Sequence, residues 1–151
     1  MEGLLIRQAG ERDAGTIARF NTAMALETES RRLEPAVIEA GVRGLIARPE
    51  YGFYLVAECD GETAACLLIT YEWSDWRNGL FWWVQSVYVR PEFRRRGIYK
   101  AMYAHARELA AVRGGVYGLR LYVEQDNDAA RRTYESLGMT ETHYRLYEQA
   151  L

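Results

Sequence analysis

The sequence has few cysteines, few histidines and little excess charge, and each shortage argues against a class of function. Only two cysteines and two histidines occur among the 151 residues. No C-x-x-C or H-x-x-x-H spacing joins them, so a zinc site is not expected. The formal net charge of -2 supplies none of the electrostatic attraction that drives most nucleic-acid binding. We therefore expect neither a metal nor a nucleic acid as a partner.

Long apolar runs are also missing. No stretch approaches the roughly 18 consecutive apolar residues that a membrane helix needs, and the start Met1-Glu2-Gly3-Leu4 lacks the basic residues of a signal peptide. Hydrophobic residues nevertheless make up 49% of the chain, which is enough for a packed core. We expect one cytoplasmic globular domain over residues 1–151, without a membrane partner.

The two cysteines flank a predicted β-hairpin. Asp60-Gly61 is typical of a two-residue turn, and in such a hairpin Cys59 faces Glu62 while Cys66 faces Leu55. This arrangement separates the cysteines by more than the roughly 7 Å between Cα atoms that a disulfide allows. Both cysteines are therefore expected to be core thiols.

Hydrophobic periodicity and turn residues divide the chain into alternating strands and helices. The predicted strands are Leu4–Ile6, Phe53–Cys59, Thr63–Trp73, Leu80–Val89, Tyr117–Val123 and Thr142–Tyr147. The predicted helices start near Asp13, Pro35, Gly97 and Asn127. The third of them should turn Ile98, Met102, Leu109 and Val112 to the core. This order predicts an α/β (α+β) fold, a mixed sheet covered by helices.

An arginine-rich turn joins the predicted fourth strand to the third helix. Arg94, Arg95 and Arg96 come just before Gly97, where a helix N-terminus already carries partial positive charge. Unpaired backbone N–H groups, a glycine that allows close approach and three guanidinium groups together favour a bound phosphate. The alternative is a solvated basic loop. A P-loop is excluded, because G-x-x-x-x-G-K-[ST] is absent.

Two segments of the sequence resemble motifs of the GNAT (Gcn5-related) N-acetyltransferase superfamily. Arg94-Arg95-Arg96-Gly97-Ile98 resembles its acyl-CoA-binding motif R/Q-x-x-G-x-G/A, with Tyr99 in place of the final small residue. Asn127-x-x-Ala130-x-x-x-Tyr134-x-x-Leu137-Gly138-Met139 resembles its pattern N-x-x-A-x-x-x-Y-x-x-x-G-F, with Met139 in place of Phe. The resemblance implies a mostly antiparallel sheet, with helices on both faces, that is splayed between the fourth and fifth strands to admit CoA.

The resemblance also implies that acetyl-CoA is the cosubstrate and that no metal takes part. The pyrophosphate would bind the arginine-rich turn, and the pantetheine arm would bind the preceding strand and the second motif. The implied contacts are Val87, Tyr88, Val89, Arg94, Arg95, Arg96, Gly97, Ile98, Tyr99, Lys100, Asn127 and Ala130. The alternative for the second motif is that Asn127 only caps a helix and Tyr134 only packs.

The implied activity is transfer of the acetyl group to a primary amine of a small-molecule or peptide acceptor by direct attack in a ternary complex. Tyr134, whose phenol has a reference pKa of about 10, suits protonation of the departing thiolate. Some family members place a glutamate on the long strand, but Trp83 and Gln85 occupy these positions here. The candidate bases are Glu124 at the end of the fifth predicted strand, Glu72, Glu27 and Glu29, each of which could instead be a surface carboxylate.

The acceptor groove is implied to lie beside the connection of the first two helices and the loop before the long strand. The acceptor contacts expected there are Glu27, Glu29, Glu72, Trp73 and Gln85. Carboxylates and indoles favour a cationic amine, whereas the alternative is that the tryptophans pack in the core or in a homodimer interface. A non-catalytic acyl-CoA-binding regulatory module is the other functional interpretation.

Overall fold

The computed structural model describes residues 3–151, and within this range it contains a five-stranded sheet with helices on both faces. Met1 and Glu2, which belong to the start examined for a signal peptide, lie outside the described residues. The strands are β1 (Leu4–Gln8), β2 (Gly52–Cys59), β3 (Glu62–Ser74), β4 (Gly79–Val89) and β5 (Val116–Arg120). The helices are α1 (Ala14–Glu29), α2 (Pro35–Ile46), α3 (Ile98–Arg113) and α4 (Asp128–Ser136).

The strands lie side by side in sequence order, so β1 and β5 form the edges of the sheet. Every neighbouring pair is antiparallel except β4 and β5, which are parallel. A parallel pair needs a long crossover connection, and α3 provides it. The predicted mixed, mostly antiparallel sheet is confirmed. The chain divides into two compact units, residues 1–121 and 122–151, and the sheet belongs to the first.

Helices cover both faces of the sheet because β2 is apolar at nearly every position and residues 64–69 of β3 are apolar throughout. The cluster on one face consists of Ile17 and Phe20 of α1, Val42 of α2, and Tyr54, Val56 and Cys66 of the sheet, with further residues around them. The cluster on the other face includes Ile98, Met102 and Ala106 of α3 with Leu55, Leu67 and Trp82. Val112, predicted on the core face of α3, is instead 88% exposed. The core row of α3 repeats every four residues from Ile98 through Ala110, and Val112 falls off that row.

Two predicted strands differ in the structure. β5 ends at Arg120 and not at Val123, because its pairing with β4 ends there. Residues 142–147 are described without strand structure. Alternating apolar residues indicate which side chains share a face, but a strand also needs a neighbour that pairs its backbone groups. None of the helices between residues 3 and 151 is long and apolar enough to cross a membrane.

The hairpin register differs from the predicted one by a single residue. Cys59 pairs with Glu62 as expected, whereas Cys66 pairs with Val56 instead of Leu55. A β-bulge between Ala57 and Glu58 shifts the register, because a bulge places one extra residue in one strand. Both cysteines are buried free thiols, as predicted.

Asp13 holds the start of α1 through a contact with β1. Its two carboxylate oxygens accept hydrogen bonds of 2.8 and 2.9 Å from the Arg7 guanidinium, and the Gly10 backbone N–H donates at 2.8 Å. Arg7 Nε also donates to Glu58 on β2 at 2.9 Å. The hydrogen bonds from Arg7 lower the pKa of Asp13 against the opposing effect of burial.

Candidate functional site

β4 contains a bulge at Ser86. Leu68 pairs with Gln85 and Cys66 with Tyr88, so β4 has one more residue than β3 over this interval. Ser86 has a φ of 50°, which lies in the left-handed region that non-glycine residues rarely adopt. Its carbonyl oxygen accepts a weak hydrogen bond from the Cys66 thiol at 3.9 Å, and burial raises the pKa of that thiol to about 12. The thiol therefore keeps its proton at neutral pH.

β4 and β5 are paired over only part of their length. The pairs run from Leu80↔Val116 to Trp83↔Arg120, whereas β4 continues to Val89. From Val84 onward the β4 edge is not paired with β5, which confirms the predicted splay between these strands. An extended ligand can use such an edge for backbone hydrogen bonds.

The turn between β4 and α3 is open on its outer side. Arg95 has a φ of 62° and Gly97 a φ of 75°. Among the described residues other than Gly97 and its two chain neighbours, no heavy atom lies within 4 Å of the place where a Cβ of Gly97 would stand. Gly97 occupies the N-cap position of α3 without a side-chain capping bond. Arg95, Arg96 and Lys100 are exposed around it. Backbone N–H groups at a helix start, with cations beside them, suit a phosphate.

Arg94 has protein partners in this turn. Its Nε donates to the Val89 carbonyl and its Nη2 to Glu27 Oε2, both at 2.8 Å, and the guanidinium lies 5.5 Å from the Tyr88 ring centroid. Arg94, predicted to bind pyrophosphate, and Glu27, predicted to bind the acceptor, are therefore brought together. Burial raises the pKa of Tyr88, with a contribution from Glu27, and Arg94 opposes the rise.

Three side chains meet where β4 and β5 part; we call Glu72, Trp83 and Arg120 the apex cluster. Glu72 Oε1 accepts from Trp83 Nε1 at 3.1 Å, and Glu72 Oε2 accepts from Arg120 Nη1 at 2.6 Å. Trp83 and Arg120 are the last paired residues of the two strands. Beside this cluster, Gln85 Nε2 on β4 donates a hydrogen bond to Thr70 Oγ1 on β3.

The apex cluster lies on the sheet face that α1 and α2 cover farther along the strands. Alternate residues of a strand share a face, and Cys66 and Leu68, which precede Glu72 at this spacing, pack against these helices. The hairpin register could have predicted the contact of Glu72 with Trp83, because both side chains lie on one face of adjacent strands. Arg120 was missed, since the parallel register of β4 and β5 has no local signal.

The other predicted acceptor residues are placed as follows. Trp73 is exposed on β3, and Glu29 is exposed at the end of α1. Trp82, in contrast, is buried against α3, so the core alternative holds for this tryptophan. Among residues 3–151, no group of three or more potential metal-ligating side chains comes together.

In the second unit, α4 carries the predicted C-terminal motif. Asn127 Oδ1 accepts a hydrogen bond of 3.1 Å from the Ala130 N–H, so Asn127 caps the helix. Tyr134 is half-buried, and burial raises the pKa of its phenol. Glu124 is exposed in the segment before α4 and not at a strand end as predicted, because β5 ends at Arg120.

A mixed sheet that opens beside a glycine-capped helix N-terminus agrees with the fold that the resemblance to the GNAT acyltransferases implies. The model of the acetyltransferase (GNAT) family matches residues 17–139, and the chain belongs to this family of acetyltransferases. A possible acetyltransferase from Clostridium difficile 630 is 42% identical, with 99% of each chain covered and a TM-score of 0.92. Among curated proteins, none matches this sequence.

Two more distant structures share the fold. A predicted acetyltransferase from Clostridium acetobutylicum, solved with acetyl-CoA, is 16% identical, with a TM-score of 0.79 over 97% of this chain and 96% of that one. The aminoglycoside N-acetyltransferase AAC(6')-Iy, in complex with CoA, is 14% identical, with a TM-score of 0.77 over 97% of this chain and 94% of that one.

Proposed function

We propose that this chain transfers the acetyl group of acetyl-CoA to a primary amine of a small-molecule or peptide acceptor, by direct attack of the amine in a ternary complex. The proposal rests on one observation: an edge of β4 unpaired with β5 leads directly into a turn that is open at Gly97. Relatives solved with CoA and with acetyl-CoA support it.

Acetyl-CoA would supply the activated thioester. Arg95, Arg96 and the first N–H groups of α3 would bind the pyrophosphate, since anions are favoured at helix N-termini. Backbone groups of Val87, Tyr88 and Val89 would bind the extended arm as an added strand does. The second motif would contribute through Asn127 and Ala130. Arg94 would exchange its bond to Glu27 for the pyrophosphate while its Nε keeps the bond to the Val89 carbonyl.

Tyr134 is proposed as the general acid that protonates the thiolate. Burial raises the pKa of its phenol, so Tyr134 keeps its proton at neutral pH and has it available to donate. A backbone N–H near Val87 or Tyr88 would stabilise the oxyanion. Glu124 is proposed to receive the proton of the amine through water, which an exposed carboxylate can do.

The acceptor is proposed to be a cationic amine bound near Glu27, Glu29, Glu72, Trp73 and Gln85. Glu29 and Trp73 are exposed, and a carboxylate beside an indole suits a cation. A cytoplasmic location and a homodimer stay predictions, as does a single domain over residues 1–151.

Release of free thiol from acetyl-CoA tests the proposal against a panel of polyamines, amino acids, peptides and aminoglycosides. We expect Tyr134→Phe to lower kcat at least about tenfold with acetyl-CoA affinity nearly unchanged. Tyr147→Phe is the matched control, because it removes the same oxygen from an exposed position in the same unit. Binding of acetyl-CoA without turnover of any amine would instead support the non-catalytic regulatory module.

A further inference from the structure

A cleft between β4 and β5 begins where the backbone pairing of the two strands ends. Trp83↔Arg120 is the last residue pair, and β5 is a five-residue edge strand. A terminal pair on an edge strand opens more easily than an interior one, because no further pair supports it on one side. The position of the opening therefore depends on side chains that hold this pair together.

Both members of the last pair donate a hydrogen bond to the same carboxylate. Trp83 reaches Glu72 Oε1 at 3.1 Å, and Arg120 reaches Glu72 Oε2 at 2.6 Å. Glu72 lies on β3, so it connects β4 and β5 from the strand on the far side of β4. The Arg120 and Glu72 side chains are 26% and 38% exposed, and partial burial strengthens a charge-assisted hydrogen bond.

Arg120 is held by a second contact on the same side of the last pair. Its guanidinium lies 3.6 Å from the centroid of the Phe81 ring. Gly118 makes room for this ring, because a Cβ there would stand 3.2 Å from Phe81 Cε1. Stacking on Phe81 and the bond to Glu72 fix the orientation of the guanidinium. A carboxylate held by two donors at its two oxygens is already neutralised and oriented.

We infer that Glu72 is a positioning residue, which holds Trp83 and Arg120 together and so fixes the point where β4 and β5 separate. This inference rests on the proposed function only for its catalytic consequence. For Glu72 this role replaces the acceptor contact proposed above, because both of its carboxylate oxygens already accept hydrogen bonds from Trp83 and Arg120. A shift of the opening by one residue would displace the thioester from the backbone donors that follow on β4, and small displacements at a reacting centre lower the rate strongly.

Amide hydrogen exchange tests the inference without any substrate. We expect Glu72→Gln and Trp83→Phe each to speed exchange of the amides around Trp83 and Arg120 by about tenfold, because each removes a contact that holds the last pair. Glu62→Gln is the matched control: Glu62 is also a β3 glutamate bonded to an arginine, Arg90 just after β4, at 3.2 Å, but it lies away from the apex cluster. Unchanged exchange in both variants would overturn the inference.

Kinetics separate a positioning role from direct contact with the acceptor. We expect Glu72→Gln and Trp83→Phe to lower kcat by similar factors, about tenfold, with the KM of the acceptor and the pH profile preserved. The double variant should lose less than the product of the two single factors, because the two side chains share one contact. Displacement of the pH profile in Glu72→Gln alone would make Glu72 a base, and a rise in acceptor KM alone would make it an acceptor ligand. Both results would overturn the inference.

If the wild-type chain turns over no amine, the proposed function fails, and the exchange measurement still decides the role of Glu72.

Discussion

The two ends of α1 are held by the same kind of contact in different surroundings. At the start, the Arg7 and Asp13 side chains are 21% and 7% exposed and make two direct hydrogen bonds. At the end, Glu27 and Arg94 are each 42% exposed and make one. Water solvates an exposed charge almost as well as its ion-pair partner does, so an exposed pair adds little stability. A buried charge is cut off from water and depends on its partner for stabilisation. The first contact therefore serves stability, and the second stays available for exchange with a ligand.

The largest effect should follow from breaking the buried contact. We expect Asp13→Asn to lower the free energy of unfolding by about 1.5–3 kcal/mol, because it weakens the charge-assisted hydrogen bonds with Arg7, which keeps Glu58 as its remaining partner. Urea denaturation followed by circular dichroism measures this loss. Glu39→Gln, which breaks an exposed ion pair with Arg43 on α2, is the control and should cost no more than about 1 kcal/mol. Equal losses in the two variants would contradict the comparison.

Acid should weaken the same contact in the wild-type chain. The folded-state pKa of Asp13 is lowered by the hydrogen bonds from Arg7, so its stabilising contribution is complete above the unfolded-state pKa of about 3.9. That contribution is lost as the pH falls through the folded-state value. The urea midpoint of Asp13→Asn should therefore fall less than that of the wild type between about pH 6 and about pH 3. Parallel curves would contradict this assignment.

The exposed contact at the end of α1, between Glu27 and Arg94, should matter for the binding of acetyl-CoA rather than for the stability of the fold. We expect the double variant Arg94→Gln/Arg96→Gln to weaken acetyl-CoA about tenfold or more, because charge-assisted bonds to phosphate contribute about 1.5–3 kcal/mol each. Calorimetry at two salt concentrations measures this loss, which should shrink at high salt. Arg43→Gln, on exposed α2, is the control for lost positive charge. Affinity that is unchanged and independent of salt would place the phosphate site elsewhere.

The smallest effect is expected for Glu27→Gln. It breaks one exposed ion pair, so the free energy of unfolding should fall by only about 0.2–1 kcal/mol, and less at high salt. Urea denaturation at low and high salt gives this difference. A loss as large as that of Asp13→Asn would show that exposure does not distinguish the two ends of α1.

Local patterns predicted most of the elements but few of the contacts that build the site. The strands β2, β3 and β4 and the helices α1 to α3 have periodic apolar residues and turn residues at their ends, and these signals act over a few positions. Asp13 marked the predicted start of α1 and lies at its N-cap position, but nothing in the sequence indicated its hydrogen bonds with Arg7 on β1. Arg120 reaches Glu72 across 48 residues of sequence. This second contact depends on the parallel register of β4 and β5, which no local pattern encodes because a long crossover separates the two strands.

The bulge in β4 also makes one residue of the strand dispensable for the core. Val84 before the bulge and Val87 and Val89 after it all pack on the α3 side, while Tyr88 packs on the α1 side. A chain shortened by Ser86 would keep each of these side chains on its present face, because the alternation simply continues from Gln85. Deletion would also remove a left-handed serine, a conformation that costs roughly 1–2 kcal/mol. The extra residue is thus carried for the shape of the backbone beside the cleft and not for packing.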